Sequence, residues 1–255
     1  MSVFCTDLRS ITAQCSVIRV QIEGVDLLQV ITVPFTSPGV DFETGYDEFP
    51  AFNFKSNSIV KASSRLYISD KMFMDFALLI TFRADNENGG YLFAVVDPQE
   101  IVVQFGVELV GNGNGLRNLT LYYTDSRRHM ASESLASFAV PNRPNEWTRL
   151  AFKVFGNQVT LYYDCNEYGS VRVSRRHRLV FHPASVLYLA QAGKKIGNHF
   201  ELLPFFHKNF VQAESDQRIL NEKLKNALVS DLLQSRVREV RLSSPITENE
   251  LDRDT

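Results

Sequence analysis

Residues 146–168, reading Glu-Trp-Thr-Arg-Leu-Ala-Phe-Lys-Val-Phe-Gly-Asn-Gln-Val-Thr-Leu-Tyr-Tyr-Asp-Cys-Asn-Glu-Tyr, constrain the fold more than any other stretch of this chain. Leu150, Phe152 and Val154 fall on alternate positions, as do Val159, Leu161 and Tyr163. Alternate residues of a strand share one sheet face, and Gly156-Asn157 between the runs supplies the left-handed turn of a tight hairpin. The pattern predicts two antiparallel strands with a common apolar face. Such a face has to be covered by a second layer, which makes a two-sheet sandwich the expected architecture.

The order Trp-Thr-Arg-Leu-Ala, Gly-Asn turn, Val-Thr-Leu-Tyr-Tyr-Asp-Cys-Asn-Glu resembles the thrombospondin N-terminal-like domain, a branch of the laminin-G-like sandwiches, in the version carried by the multiplexin collagens, types XV and XVIII. Upstream, Val25-Asp26-Leu27-Leu28-Gln29-Val30-Ile31 stands where that family opens with an Asp-Leu-Leu turn. Asp75-Phe76-Ala77-Leu78-Leu79 and Gly90-Tyr91-Leu92-Phe93-Ala94-Val95 resemble its next two strands. Phe105 to Leu109, Leu119 to Thr124 and Leu187 to Gly193 follow in the expected order. The resemblance covers roughly residues 25–200 with a closing strand at 237–242. It implies an all-β, concanavalin-like jelly-roll of two antiparallel sheets, with Trp147, Phe76, Leu78, Phe93, Leu150, Leu161 and Leu189 in the core.

The expected organisation is an N-terminal extension at 1–24, a sandwich at 25–242 and a polar tail at 243–255. Within the sandwich, residues 201–236 depart from the family pattern. Leu220, Leu224, Leu228 and Leu232 recur every fourth position, so 215–236 reads as an amphipathic helix inserted before the last strand. Residues 36–50, rich in Gly, Pro and acidic groups, read as a loop.

A chain of 255 residues with 44% hydrophobic content suffices for one large β-sandwich. A net charge of −2 gives no bulk basic field, which argues against nucleic acid and confines any polyanion site to a local patch. No apolar run approaches the ~20 residues of a membrane span. Residues 1–14 lack a continuous apolar signal-peptide core. Set beside a resemblance to secreted proteins, this suggests part of a longer chain, and the implied location is the extracellular matrix. The chain holds three cysteines. The family pairs the cysteine of its Asp-Cys-Glu motif with one near the domain's C-terminus. Cys165 occupies the first position and no cysteine follows it. Cys165 is therefore expected either as a thiol or bridged to Cys5 or Cys15.

Candidate chemistry is sparse. Asp41 and Glu43 have period-two spacing but sit in the loop reading, Glu108 stands alone on its strand, and Asp164 with Glu167 flanks the cysteine turn. None forms the carboxylate pair that a glycoside hydrolase needs. No serine lies in a Gly-x-Ser-x-Gly elbow, and His177, His182, His199 and His207 lack metal-ligand spacing. The twelfth position of a calcium loop counted from Asp85 is Val96, which has no carboxylate to offer. The expectation is no catalytic site, no metal and no cofactor.

What remains is the densest basic run, Arg172-Val173-Ser174-Arg175-Arg176-His177-Arg178. Guanidinium forks match sulfate and carboxylate oxygens, so Arg172, Arg175, Arg176 and Arg178 are the candidate site for heparin or heparan sulfate. The family resemblance adds weight to that ligand and to other matrix proteins as partners. Arg127-Arg128-His129 and Lys194-Lys195 are candidate extensions of the patch. Asn118-Leu119-Thr120 is the single glycosylation sequon. The alternatives to glycan binding are a protein-protein spacer and, from another class, a secreted carbohydrate-active enzyme.

Overall fold

The two alternating runs form one hairpin, with Leu150, Phe152 and Val154 opposite Tyr163, Leu161 and Val159 in antiparallel register. Gly156 has a φ of 54°, a left-handed conformation that glycine adopts at little cost and that matches the twist of the flanking strands. A third strand continues the same face, with Phe76, Leu78 and Ile80 opposite Val154, Phe152 and Leu150. All nine side chains are buried in one cluster.

A computed structural model of the chain describes residues 24–31, 37–48, 50–55, 57–84, 89–125, 130–174 and 176–197, with the backbone of two further strands at 202–205 and 210–212. In chain order the strands are β1 (Gly24–Val25), β2 (Val40–Thr44), β3 (Pro50–Phe54), β4 (Val60–Ser63), β5 (Phe76–Ala84), β6 (Gly89–Val96), β7 (Val103–Gly111) and β8 (Leu116–Tyr123). They continue as β9 (Ser134–Pro141), β10 (Trp147–Phe155), β11 (Gln158–Tyr163), β12 (Asn166–Arg172), β13 (Val186–Leu189), β14 (Leu202–Phe205) and β15 (Phe210–Gln212).

One sheet runs β12-β11-β10-β5-β14-β3-β2, with β15 joining β5 to β1, and the other runs β4-β13-β6-β7-β8-β9. Their inner faces meet through aromatic contacts. Phe76 of β5 meets Phe105 of β7 edge-on at 5.6 Å between ring centroids, and Phe138 of β9 lies 6.3 Å from Phe152 of β10. Each such side chain removed from water contributes about 1.5–3 kcal/mol. The fold is the jelly-roll sandwich of two antiparallel sheets. The Asp-Leu-Leu opening also has a local cause: Asp26 accepts a hydrogen bond from the Leu28 amide (3.0 Å) and caps a short 3-10 turn that buries Leu27 and Val30.

Three expectations are corrected. Trp147 is half-buried, because period two places it with Arg149 and Ala151 on the outer face, opposite to Leu150. There the Arg83 guanidinium lies 5.3 Å from its ring centroid, a cation-π contact. Residues 36–50 are not all loop, since they contain β2 and its pairing with β3. The stretch 201–236 is not helical throughout: β14 pairs with β5 and β3, and β15 pairs with β5, so its first part completes a sheet. Residues 213–236 and the closing strand expected at 237–242 lie outside the described residues, as do 1–23 and 243–255.

Candidate functional site

The β11–β12 turn is built by Asp164 and Cys165, with φ of 47° and 67°, between the paired residues Tyr163 and Asn166. Residues without glycine's freedom hold this conformation because Asp164 is fixed on both sides. Its amide donates to the Arg149 carbonyl (2.8 Å), and its carboxylate accepts from the Arg149 amide (3.1 Å) and from Arg143 Nη1 (2.9 Å). Asp164 is thereby committed to the turn. Cys165 is half-buried there, and Cys5 and Cys15 lie outside the described residues.

Beyond the turn β12 forms the exposed edge of its sheet and ends at Arg172, opposite Gln158. The Val173 amide donates to the Asn157 carbonyl (2.9 Å), and the chain then leaves the ladder. Arg172 and Arg178 are exposed, whereas Arg175 lies outside the described residues. Arg176 turns inward, which corrects its assignment to a surface site. Its side chain is 4% exposed, donating from Nη1 to the Met74 carbonyl and from Nη2 to the Gly156 carbonyl, both at 2.7 Å. Asp75 lies 3.6 Å from Nη2, and the guanidinium carbon stands 5.6 Å from the Tyr123 ring centroid. Burial draws the guanidinium pKa down from its ordinary value, with Tyr123 and Asp75 opposing the shift. The group ties the β10–β11 turn to the bend before β5.

Tyr123 completes this junction by donating to the His177 carbonyl (3.0 Å) and accepting from the Leu179 amide (2.9 Å). Beside it opens a cavity of about 660 Å³, whose lining includes Asp125, Glu133, Arg172, Arg176 and His177. Asp125 stands 3.8 Å from His177 Nε2. The cavity is of mixed charge. Residues 126–129, which contain the second basic run, lie outside the described residues. Lys195 donates to the Gln99 carbonyl (2.6 Å), while Lys194 is exposed.

The other acidic groups also have structural partners. Asp41 pairs with Lys55 (2.9 Å), just after β3, and Glu43 with Arg83 of β5 (3.4 Å). Asp97 accepts from the amides of Gln99, Ile101 and Val102, holding the turn between β6 and β7. Glu108 is buried on the outer face of the six-stranded sheet, opposite Tyr91 and Thr120, and accepts from Tyr122 Oη at 2.7 Å. Burial first, and then the Glu108 bond and charge, push the Tyr122 pKa up to about 12. Desolvation raises that of Tyr91 as well, followed by the Glu108 charge. Further along the face Tyr188 donates to Glu100 Oε1 (2.7 Å), under the Lys61 ammonium.

This tyrosine cluster escaped the sequence reading. Its signal lay in the outward positions of β6, β8 and β13, where Tyr91, Tyr122 and Tyr188 replace the charged residues of a solvated face. Among the described residues, no group of three or more His, Cys, Asp or Glu is placed to hold a metal ion. The calcium-loop candidate at 85–88 lies outside them. No helix among the described residues is long and apolar enough to cross a membrane. Asn118 stands exposed on the outer face of β8.

No family model matches the chain. Over 131 residues it is 36% identical to the human (Homo sapiens) collagen alpha-1(XVIII) chain. That match takes in 51% of this chain and 7% of the collagen chain. Among solved structures, domain 4 of AbnA, a GH43 extracellular arabinanase from Geobacillus stearothermophilus solved with arabinotriose, is 15% identical with a TM-score of 0.47, covering 71% of this chain and 80% of that one. The botulinum neurotoxin serotype D ligand binding domain, solved with N-acetylneuraminic acid, is 12% identical with a TM-score of 0.49, covering 74% of this chain and 44% of that one. The collagen match and the order of strand motifs agree, and together they support a thrombospondin N-terminal-like domain related to that of the multiplexin collagens.

Proposed function

We propose that this chain is a non-enzymatic module of the extracellular matrix that helps to organise a collagen-like protein and binds heparan sulfate along the β12 edge. The observation that carries the matrix reading is the 36% identity to a type XVIII collagen chain over half of this one. Support for the non-enzymatic part comes from the carboxylates: Asp41, Glu43, Asp97, Glu108 and Asp164 each hold an ion pair, a turn or a tyrosine hydroxyl.

Arg172 and Arg178 are the exposed guanidinium groups for a sulfated chain, with Arg175 between them in sequence. Such contacts are electrostatic and fade with salt, since screening shortens from ~10 Å at 0.1 M to ~3 Å at 1 M. Immobilised heparin should retain the protein at low salt and release it progressively as salt rises, while unsulfated hyaluronan should not retain it. Absence of retention at low salt overturns the glycan reading. The spacer reading then takes its place, and it has one observation in its favour: Asp125 and Glu133 line the same cavity as Arg172 and offset its charge.

A further inference from the structure

The outer face of the six-stranded sheet is uneven. Towards β13 it is closed by Tyr91, Ala94, Val96, Val103 and Tyr188, all buried in one cluster. Towards the far ends of β7 and β8 it is open. There Val110 is 39% and Leu116 36% exposed, and Ala139 is exposed on β9. These three apolar side chains surround one residue. Asn118 has Val110 and Ala139 as its cross-strand partners, and Leu116 and Thr120 as its same-face neighbours along β8. Asn118 is itself exposed, and among the described residues its side-chain amide makes no hydrogen bond. With Leu119 and Thr120 it forms an acceptor sequon for N-linked glycans.

We propose that Asn118 carries an N-linked glycan whose first sugars cover Val110, Leu116 and Ala139. The inference rests on the matrix reading only in requiring passage through the secretory route. The donor is an oligosaccharide held on a lipid diphosphate. A bond forms between the Asn118 amide nitrogen and C1 of the reducing-end sugar, the bond from C1 to the phosphate oxygen breaks, and the lipid diphosphate leaves with the displaced amide proton. Transfer precedes folding of this region, because β8 is paired on both edges and Thr120 Oγ1 lies 3.0 Å from Ser137 Oγ in the folded sheet. In the folded protein the outward direction of Asn118 leaves room for the glycan. A bulky, solubilising substituent there shields an apolar patch that the sheet cannot cover.

The test expresses the full chain behind a heterologous secretion signal in animal cells and reads the intact mass of the secreted and cell-retained protein before and after peptide-N-glycosidase treatment. The parent should lose mass on treatment, with aspartate left at position 118. Asn118→Gln and Thr120→Ala should each abolish the shift, and Thr120→Ser should keep it. A parent of unmodified mass in both fractions, or a shift that persists in Asn118→Gln, overturns the proposal. Enzymatic removal of the glycan should also raise binding of an apolar dye to the folded protein, and unchanged dye binding overturns the covering role. Heparin retention of unglycosylated protein made in bacteria is a separate readout, so failure at Asn118 leaves the matrix reading standing and the reverse also holds.

Discussion

Arg176 and Glu108 are charged groups buried in two different regions of the sandwich, and by different means. At the β12 end, Arg176 gives two hydrogen bonds to backbone carbonyls of elements 82 residues apart in sequence, Met74 and Gly156, with Asp75 alongside. On the outer face of the six-stranded sheet, Glu108 accepts a hydrogen bond from the Tyr122 hydroxyl on the neighbouring strand. The first is a long-range clamp between a turn and a bend, and the second is a cross-strand pair inside one sheet. Removing the first should loosen the junction of several elements, whereas removing the second should disturb one ladder. Charge density along the chain therefore says little about exposure, since Arg176 and Arg178 stand two residues apart with opposite environments.

The comparison predicts a ranking. Arg176→Ala should have the largest effect, about 3–5 kcal/mol in denaturant unfolding, because it leaves Asp75 and two carbonyls without their buried cation. Leu161→Ala, a side chain with no exposed surface, should cost ~2–5 kcal/mol through the cavity it opens between the sheets. Glu108→Ala should cost less, about 1–3 kcal/mol, the loss of a partner for Tyr122 Oη. If Glu108→Ala proves as damaging as Arg176→Ala, the distinction between clamp and pair fails.

The pair also has a pH signature. The folded-state pKa of Tyr122 is raised from 10.0 to about 12, so the folded state holds that proton more tightly. The stability it contributes is fully present below pH 10 and is lost as pH rises towards 12. Tyr122→Phe should flatten the fall of the melting temperature across that window, and an unchanged alkaline limb would remove Tyr122 as its source. Smallest of all, Arg178→Ala should stay within about 0.5 kcal/mol of the parent, as expected of an exposed side chain.

The same contrast explains what could be read in the sequence. Period two identified the β10–β11 hairpin, because each alternate apolar residue from Leu150 to Tyr163 serves the same buried face. It also contained the correct position of Trp147, two residues from Arg149 and so on the same face, although the resemblance implied a core residue. β14 was hidden because Leu202-Leu203-Pro204-Phe205 is short and carries a proline, which demotes a run as a strand. The fate of Arg176 was not legible, since its partners Met74 and Gly156 come together only when the sandwich closes. Neither was the Glu108–Tyr122 pair, which depends on the β7–β8 register. The sequence distinguished charged residues from apolar ones, and tertiary closure sorted the charged residues among themselves.

The central functional claim is that only the outward arginines of the basic run bind the sulfated chain. Its most direct test is the salt concentration at which the Arg172→Ala/Arg178→Ala double variant elutes from heparin, measured with its melting temperature against the parent. The account predicts earlier elution at an unchanged melting temperature. Unchanged elution of a normally folded double variant would contradict it.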